Sequence, residues 1–471
     1  MENNGLIYGV KDRPKFPQIL LFALQQLLAI MAATIAVPLI IGNGMSTSAA
    51  LFGAGVGTLV YLLFTGFKSP VFLGSSFAFL GSMSAAFAGG VSASLGYLGL
   101  IIGAAFAALV YVVIAIVVKF AGVKWIDKIM PAVVIGPTVA IIGLSLAGNA
   151  IGDLKKGSYL VGGAPTAHWA IALLCGLVTL AVTIICSVYG KKMAKMIPFI
   201  IGIVSGYAVA SIFTVIGIAV EEPSLRVIDW SGFKTIGSWE AWVPGFSFTK
   251  IFGDYAYGES GNIGAYIGKI AIAYVPVAFV VFAEHLADHK NISSIIGTNL
   301  LEDPGLDKTL LGDGVGSFAG AFFGGCPNTT YGESIGCVAI SRNASVATIF
   351  CTSLMAMVIS FFAPFSLFLA SIPSCVMGGV CIALYGFIAV SGLKMIQKVD
   401  LGDNRNLFVV SVILIAGVGG LVIQIKAITI TAVACALILG ILVNVLVNCK
   451  KPKEEAKEEK EPLEEKAEKE E

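Results

Sequence analysis

The chain consists largely of apolar runs that are long enough to cross a lipid bilayer, and these runs recur up to residue 448. A spanning helix needs roughly 20 mainly apolar residues. Hydrophobic residues make up 57% of the sequence and charged residues 13%, whereas a soluble domain carries about 25% charged residues. A soluble protein of this composition would lack a polar surface. The sequence therefore predicts an integral membrane protein.

We expect about fourteen spanning segments, almost all helical. The regular ones lie near residues 17–41, 48–66, 95–119, 129–148, 168–189, 196–219, 267–286, 345–370, 405–424 and 428–448. The less regular ones are short, polar or rich in glycine, and lie near 71–88, 309–325, 330–342 and 374–393.

Basic residues concentrate on one side of this predicted array. With an even number of spans, Lys11 and Arg13 share a side with Lys191 and Lys192. Because loops rich in Lys and Arg stay in the cytoplasm, we expect both termini there and the protein in the cell membrane. The first apolar run is too long for a signal peptide and is expected to remain as a membrane helix.

Two pairs of segments resemble each other across the two halves of the chain. Residues 130–148 and 372–392 both begin with an apolar residue and a proline, with a glycine five positions after the proline. Residues 74–79 and 328–334 are both short and polar around an aromatic residue. Seven spans per half would invert the second copy, and inverted repeats with broken helices are typical of transporters. Chance similarity among glycine-rich apolar segments is the alternative.

Acidic residues occur at the end of the apolar run that starts at Ile270. Glu284 and Asp288 are four positions apart, so a helix would place both on one face. Two carboxyls that close in a dry site cannot both ionise easily, and one should hold a proton. The alternative is a wet turn after the end of the helix. We expect His285 to be structural, and His289 and Lys290 to lie in a solvated loop.

Two further segments combine helix-breaking and polar residues at the predicted depth of the membrane. In residues 326–342, Pro327 and Gly332 interrupt the helix and Glu333 begins a new one, whose free N–H groups face the break. In residues 73–81, Phe77 or Phe79 could stack on a flat ligand. The alternatives are an outer-loop turn for the first segment and ordinary packing for these aromatic rings.

These motifs together resemble those of the nucleobase–ascorbate transporter family, and within it the bacterial uracil permeases. The matching stretches are SSFAF at 75–79, AEHLAD at 283–288 and PNTTYGE at 327–333. The family signature falls on Glu333, Ser334, Ile335, Gly336, Ser341 and Arg342. The resemblance extends over residues 10 to 449, nearly the whole chain.

The resemblance implies a fold of fourteen spans in two inverted repeats of seven, with short antiparallel strands in spans 3 and 10. A core domain would hold the substrate and a gate domain would move against it, often within a homodimer. The implied divisions are a cytoplasmic N-terminus 1–16, core 17–120, gate 121–220, extracytoplasmic loop 221–266, core 267–372, gate 373–449 and a charged cytoplasmic tail 450–471.

The resemblance also implies the substrate contacts. Glu284 would accept the N–H groups of the base, and the backbone N–H groups of Phe77 and Gly332 would donate to its carbonyls. Tyr331 and Ala33 would form the walls of the pocket.

The remaining implied contacts concern the proton and a second carboxyl. Glu333 would contact the base, and Asp288 would couple protonation to Glu284. The best-known uracil permeases have His in place of Asp288, which leaves the details of proton coupling open. Ser334 and Ser341 replace Asn and Thr of the signature, which leaves purine selectivity open.

The sequence therefore favours a proton-coupled importer of uracil. The alternatives are a xanthine or purine permease of the same family, an anion carrier of the sulfate type, a membrane-embedded enzyme and a channel. The acidic residues argue against an anion carrier, and no HExxH motif supports an enzyme. No P-loop motif is present either, so we do not expect ATP-driven transport by this chain alone. We expect no catalytic residues, cofactor or metal, and a net charge of +1 gives no reason to expect nucleic acid.

Overall fold

The computed structural model describes residues 6–122, 125, 130–161, 164–191, 193–425 and 428–449. The predicted tail 450–471, Lys192 and the first five residues of the N-terminal segment lie outside the described residues.

Within that part of the chain, 8 helices are long and apolar enough to cross a membrane. They are α1 (Phe16–Ile41), α2 (Thr47–Phe64), α4 (Ala93–Ala121), α5 with α6 (Ala132–Ser145 and Ala147–Asp153), α7 (Trp169–Tyr189), α9 (Pro198–Ala219), α10 (Ile263–Ile296) and α15 (Ser374–Ile396). The protein is therefore a mostly helical, multi-pass membrane protein, as predicted, and the count of fourteen spans stays a prediction.

The described structure also contains shorter helices, several short 3₁₀ helices and three two-stranded sheets. The helices are α3 (Leu80–Phe87), α8 (Met193–Met196), α11 (Leu306–Gly324), α12 (Gly332–Ser341), α13 (Val346–Ile359), α14 (Ala363–Ser371), α16 (Asn404–Val418) and α17 (Ala432–Asn448). The antiparallel strand pairs are β1 (Leu73–Ser75) with β4 (Asn328–Thr330), β2 (Leu160–Val161) with β3 (Ala164–Pro165), and β5 (Ile423–Ile425) with β6 (Ile428–Ile430).

The outward faces of several long helices are apolar. On α4, Leu109 is 57% exposed and Phe120 is 83% exposed. Side chains of this kind would be unfavourable in water over so large an area, and they are the expected contact with lipid.

The predicted spans 345–370, 405–424 and 428–448 were wrong in detail. The first is two helices, α13 and α14, bent by 85°. Pro364 at the start of α14 causes the break, because proline has no N–H and its ring clashes with the preceding turn. Near the C-terminal end, β5 and β6 form an antiparallel pair between α16 and α17, so these helices end at Val418 and begin at Ala432, whereas the apolar runs predicted helix up to residue 424 and from residue 428.

The prediction that His289 lies in a solvated loop was also wrong. Helix α10 continues to Ile296, and His289 is fully buried within it, while Lys290 is helical and exposed. Asn262 caps the beginning of α10 by accepting a hydrogen bond from the Ala265 N–H at 2.9 Å. Its end comes at Gly297, which adopts the left-handed conformation. The charged residues after position 283 therefore do not mark its end.

Helices α5 and α15 pack closely against each other, and both begin directly after a proline of the predicted repeat. Glycines allow this contact. A Cβ atom on Gly392 of α15 would lie 2.3 Å from the backbone nitrogen of Ala140 on α5. No side chain larger than hydrogen fits there without separating the two helices.

We expect Gly392→Ala to destabilise the protein by about 1–3 kcal/mol, because the added methyl group overpacks this crossing. Gly386→Ala on the same helix is the matched control, since its added Cβ meets no atom within 4 Å. The control should be neutral or slightly stabilising through helix propensity. Thermal unfolding of both variants in detergent measures the difference, and equal stabilities would contradict the packing argument.

Candidate functional site

A cavity of roughly 350 Å³ lies inside the helical bundle, and three acidic residues line it. Glu284 and Asp288 come from α10, and Glu333 comes from the first turn of α12. Ligand sites are commonly about 300–1,000 Å³. The structure thus brings the acidic residues singled out in the sequence to one cavity.

Glu284 and Asp288 lie one helical turn apart on the same face of α10. The Thr330 hydroxyl of β4 donates a hydrogen bond of 2.7 Å to the Asp288 carboxylate. Among the described residues, none donates a hydrogen bond to the Glu284 carboxylate. Asp288 is therefore held by the protein, while Glu284 keeps its oxygens available to a molecule in the cavity.

The beginning of α12 lies at the cavity and supplies unpaired backbone donors. Its first helical hydrogen bond runs from the Ile335 N–H to the Tyr331 oxygen. Gly332 and Glu333 precede that donor, so their N–H groups have no partner within the helix. Gly332 is exposed to the cavity, and a Cβ there would meet nothing within 4 Å. This end of the helix can donate to an electron-rich ligand atom.

Strands β1 and β4 form a short antiparallel pair beside the cavity, with Gly74 opposite Thr329. Bonds to neighbouring elements satisfy the polar backbone at both ends of the pair. The Leu73 N–H donates to the Thr58 hydroxyl at 2.9 Å, and the Ser76 N–H donates to the Pro327 oxygen at 2.9 Å. Non-helical backbone at membrane depth requires such partners.

Tyr331 fixes the end of β4 against β1. Its hydroxyl donates to the Ser75 oxygen at 2.8 Å, and a Cβ on Gly74 would lie 2.4 Å from its ring. The close approach requires glycine at position 74. The ring therefore forms a rigid wall of the cavity.

Phe77 lines the cavity from the short 3₁₀ helix that follows β1. Its ring contacts Tyr385 of α15 edge to face, with centroids 5.5 Å apart. Ala33 is buried within α1. The residue of α1 that lines the cavity is Ala29, one turn earlier.

The opposite wall of the cavity belongs to α5, α9 and α15. Val139, Phe199, Phe387 and Ser391 line it from these helices. Lys195 of α8 lies at the margin and is exposed. The cavity is therefore bounded by the acidic, broken elements on one side and by a mainly apolar surface on the other.

A buried polar cluster lies behind the acidic face, and sequence reasoning missed most of it. His285 forms a hydrogen bond of 2.7 Å between its Nδ1 and Asp313 Oδ2, and its Nε2 lies 3.1 Å from the Thr309 hydroxyl. Both residues of the first pair have fully buried side chains. Asp313 is an ionisable residue inside an apolar, glycine-rich segment, and that signal alone could have identified it.

The cluster continues along α10 to α2. The Nε2 of His289 lies 2.7 Å from the Tyr61 hydroxyl, which donates to Ser69 at 2.6 Å. The rings of His285 and His289 are stacked with centroids 3.9 Å apart. These bonds join α10 to α2 and α11, and they fix the rotation of the helix that carries Glu284.

Helix α12 is tied to α1 and to the segment before β1. The Gln26 amide donates to the hydroxyl and the backbone oxygen of Ser334. The same hydroxyl accepts the Phe72 N–H at 3.1 Å. Hydrogen bonds of this kind between helices are typical of polar residues in apolar spans.

Fold and cavity together define a polytopic membrane protein with an internal site for a small solute. Residues 17–426 match the profile of a protein family described as a permease family. The chain belongs to this permease family, which confirms the resemblance based on the motifs.

Two curated relatives are similar over almost their full lengths. The uracil permease of Bacillus caldolyticus is 38% identical over 448 residues, covering 94% of this chain and 95% of the relative. The uracil permease of Bacillus subtilis (strain 168) is 38% identical over 456 residues, covering 95% and 96%. Both are named as permeases, in agreement with the prediction that the chain is not an enzyme.

Among solved structures, the transmembrane domain of a cyanobacterium bicarbonate transporter, BicA, is similar with a TM-score of 0.58. The match covers 94% of this chain and 100% of that chain at 15% sequence identity. At that identity the similarity concerns the fold alone.

Proposed function

We propose that the protein imports a nucleobase, with uracil as the first choice, by proton-coupled symport and alternating access. The main support for this proposal is that Glu284, Asp288 and Glu333 line one cavity beside the β1–β4 strand pair. The names of the two relatives support uracil as the substrate.

The cavity offers the groups that a pyrimidine base requires. The N–H groups of a base match the carboxylate of Glu284, which offers only hydrogen-bond acceptors when it is ionised. Carbonyl oxygens of the base match the backbone N–H groups of Gly332 and Phe77. Tyr331 and Ala29 bound the space within which the base binds.

Proton coupling follows from the crowding of acidic groups. Carboxylates one turn apart repel each other strongly in a site shielded from water. A proton held between the two carboxyls would relieve that repulsion, and a bound base would favour the ionised form of Glu284 by donating hydrogen bonds to it. Thr330 of β4 donates a hydrogen bond to Asp288. A change in the protonation of Asp288 would therefore alter a direct contact of strand β4.

Alternating access would move the two walls of the cavity relative to each other. The acidic wall comes from the proposed core domain, and the opposite wall from the proposed gate domain with Val139, Phe199 and Phe387. A change in the gap between these walls would open the cavity to one side of the membrane and then to the other.

A purine permease with the same mechanism is the second candidate, because Ser334 and Ser341 depart from the signature at positions near the site.

The charge of the cavity disfavours an anion carrier. Three acidic residues face the cavity, against one exposed lysine at its margin, and like charges repel an anionic solute.

The substrate is tested by uptake of labelled uracil into proteoliposomes containing the purified full chain. Competition with unlabelled uracil, 5-substituted uracils, thymine, xanthine and hypoxanthine ranks the bases. Uracil should compete most strongly. Stronger competition by xanthine would favour the purine permease, and no saturable uptake of any base would contradict the proposal.

We expect a protonophore to abolish the accumulation of uracil above its outside concentration, because symport draws on the proton gradient. Exchange of labelled for unlabelled uracil at equal concentrations should continue, since it needs no gradient. Replacing external sodium with potassium is the control and should leave uptake unchanged. Accumulation that persists with the protonophore would rule out proton drive.

A further inference from the structure

A second cavity of roughly 530 Å³ lies where α2 ends and α13 begins, away from the acidic site. Lys11 and Arg13 line one side of it, and Phe67, Val346 and Phe350 line the other. A basic half thus faces an apolar half beside the end of α2, an apolar helix long enough to cross a membrane, where we expect the membrane surface.

The basic half is held in place by the backbone. The N-terminal segment runs along the connection between α12 and α13, with the Ala344 N–H donating to the Tyr8 oxygen at 2.9 Å. The Val346 N–H donates to the Val10 oxygen at 3.1 Å. These two bonds hold the residues that precede Lys11. Between Lys11 and Arg13, the backbone oxygen of Asp12 accepts a hydrogen bond of 2.6 Å from the Ser345 hydroxyl. Anchoring of this kind lowers the entropy lost on binding.

Charge at the cavity is positive. The Asp12 carboxylate also lines it and accepts a hydrogen bond of 2.7 Å from the Gly9 N–H. Lys11 and Arg13 are both exposed, and within the described part of the chain neither makes an ion pair. Two cationic side chains therefore line the cavity with one carboxylate, and that carboxylate already accepts a backbone hydrogen bond. This excess of positive charge suits an anionic ligand.

The apolar half consists of rings that the protein does not cover. Phe67 is 43% exposed and Phe350 is 40% exposed, and their centroids lie 6.3 Å apart. Phe67 also has a φ of 57°, a conformation that is uncommon for a bulky residue. The ring is thus kept on the surface beside the two basic residues.

We propose that this cavity binds an anionic phospholipid, with its phosphate at Lys11 and Arg13 and the upper part of an acyl chain against Phe67 and Phe350. Basic residues at a membrane surface attract anionic headgroups, and the exposed apolar rings of Phe67 and Phe350 gain by contact with an acyl chain in place of water. A free phosphate would use the basic half alone, whereas a lipid uses both halves.

The test is equilibrium binding of fluorescent phosphatidylglycerol to the detergent-solubilised full chain. Lys11→Gln with Arg13→Gln should weaken binding about 25-fold, because each cation near an anionic surface contributes about fivefold. Lys394→Gln with Lys398→Gln removes the same charge from exposed positions at the end of α15 and should leave binding unchanged. Phe350→Ala should also weaken phosphatidylglycerol binding, by removing the acyl contact.

Two further probes identify the ligand chemistry. Phosphatidylcholine should bind at least tenfold more weakly than phosphatidylglycerol, because it has no net charge. Inorganic phosphate should compete only weakly. Equal affinities for the two lipids, an unaffected Lys11 and Arg13 double variant, or full competition by inorganic phosphate would each overturn the proposal. The substituted side chains are exposed, and size-exclusion profiles with uracil uptake verify that the variants fold.

Discussion

Uracil uptake should fall by on the order of 100-fold in Glu284→Gln, because two hydrogen bonds to a charged acceptor are lost or weakened. Glutamine keeps the length of the side chain, but it cannot ionise, and its amide presents a donor toward the N–H groups of a base. The variant should also show weaker equilibrium binding of uracil. Initial uptake rates in proteoliposomes and binding in detergent measure the two effects.

Glu240→Gln is the matched control, since Glu240 is an exposed residue in the segment between α9 and α10. It should transport at the normal rate. The amount of each protein in the membrane must be equal for the comparison. Normal uptake by Glu284→Gln would remove this carboxyl from the site and with it the proposed mode of base recognition.

Asp313→Ala should lower the free energy of unfolding by about 1–3 kcal/mol, because the change leaves the buried His285 ring without its hydrogen-bond acceptor. Asp313 and His285 are both fully buried and bonded at 2.7 Å. Thermal unfolding of the purified protein in detergent is the measurement. Since this pair positions α10, uracil affinity should fall together with stability.

Asp313→Asn separates the loss of the acceptor from the loss of charge, because the amide oxygen can still accept from His285. We expect it to retain most of the stability. Asp307→Ala, in the first turn of the same helix and only partly buried, should cost less than about 1 kcal/mol. Similar unfolding temperatures for Asp313→Ala and Asp307→Ala would contradict a structural role for the pair.

The membrane fold and the acidic residues of the cavity could be predicted from the sequence. Charged side chains are so unfavourable inside a bilayer that an ionisable residue in an apolar segment indicates a functional site. Glu284, Asp288 and Glu333 stood out for that reason. The breaks at residues 73–81 and 326–342 stood out because proline, glycine and clustered polar residues interrupt apolar runs.

Other features depend on contacts between distant segments and have weak local signals. The sequence around His289 is compatible with a solvated loop, because charged residues occur both in exposed turns and in helices. Only the fold shows that His289 is bonded to Tyr61. Thr330 is of a residue type that is common in strands, and only the fold shows that its hydroxyl reaches Asp288. The bend at Pro364 was hidden by phenylalanines on both sides of it, which continued the apolar pattern.

The sheet that joins β1 to β4 has a consequence for how the protein can be divided. One strand comes from each half of the polypeptide, and Leu73 lies opposite Thr330. Neither half can assemble the binding chamber alone, since each lacks the hydrogen-bonding edge that the other provides. Fragments cut between α9 and α10 should consequently recover transport only when they are produced together and reassociate in the same membrane.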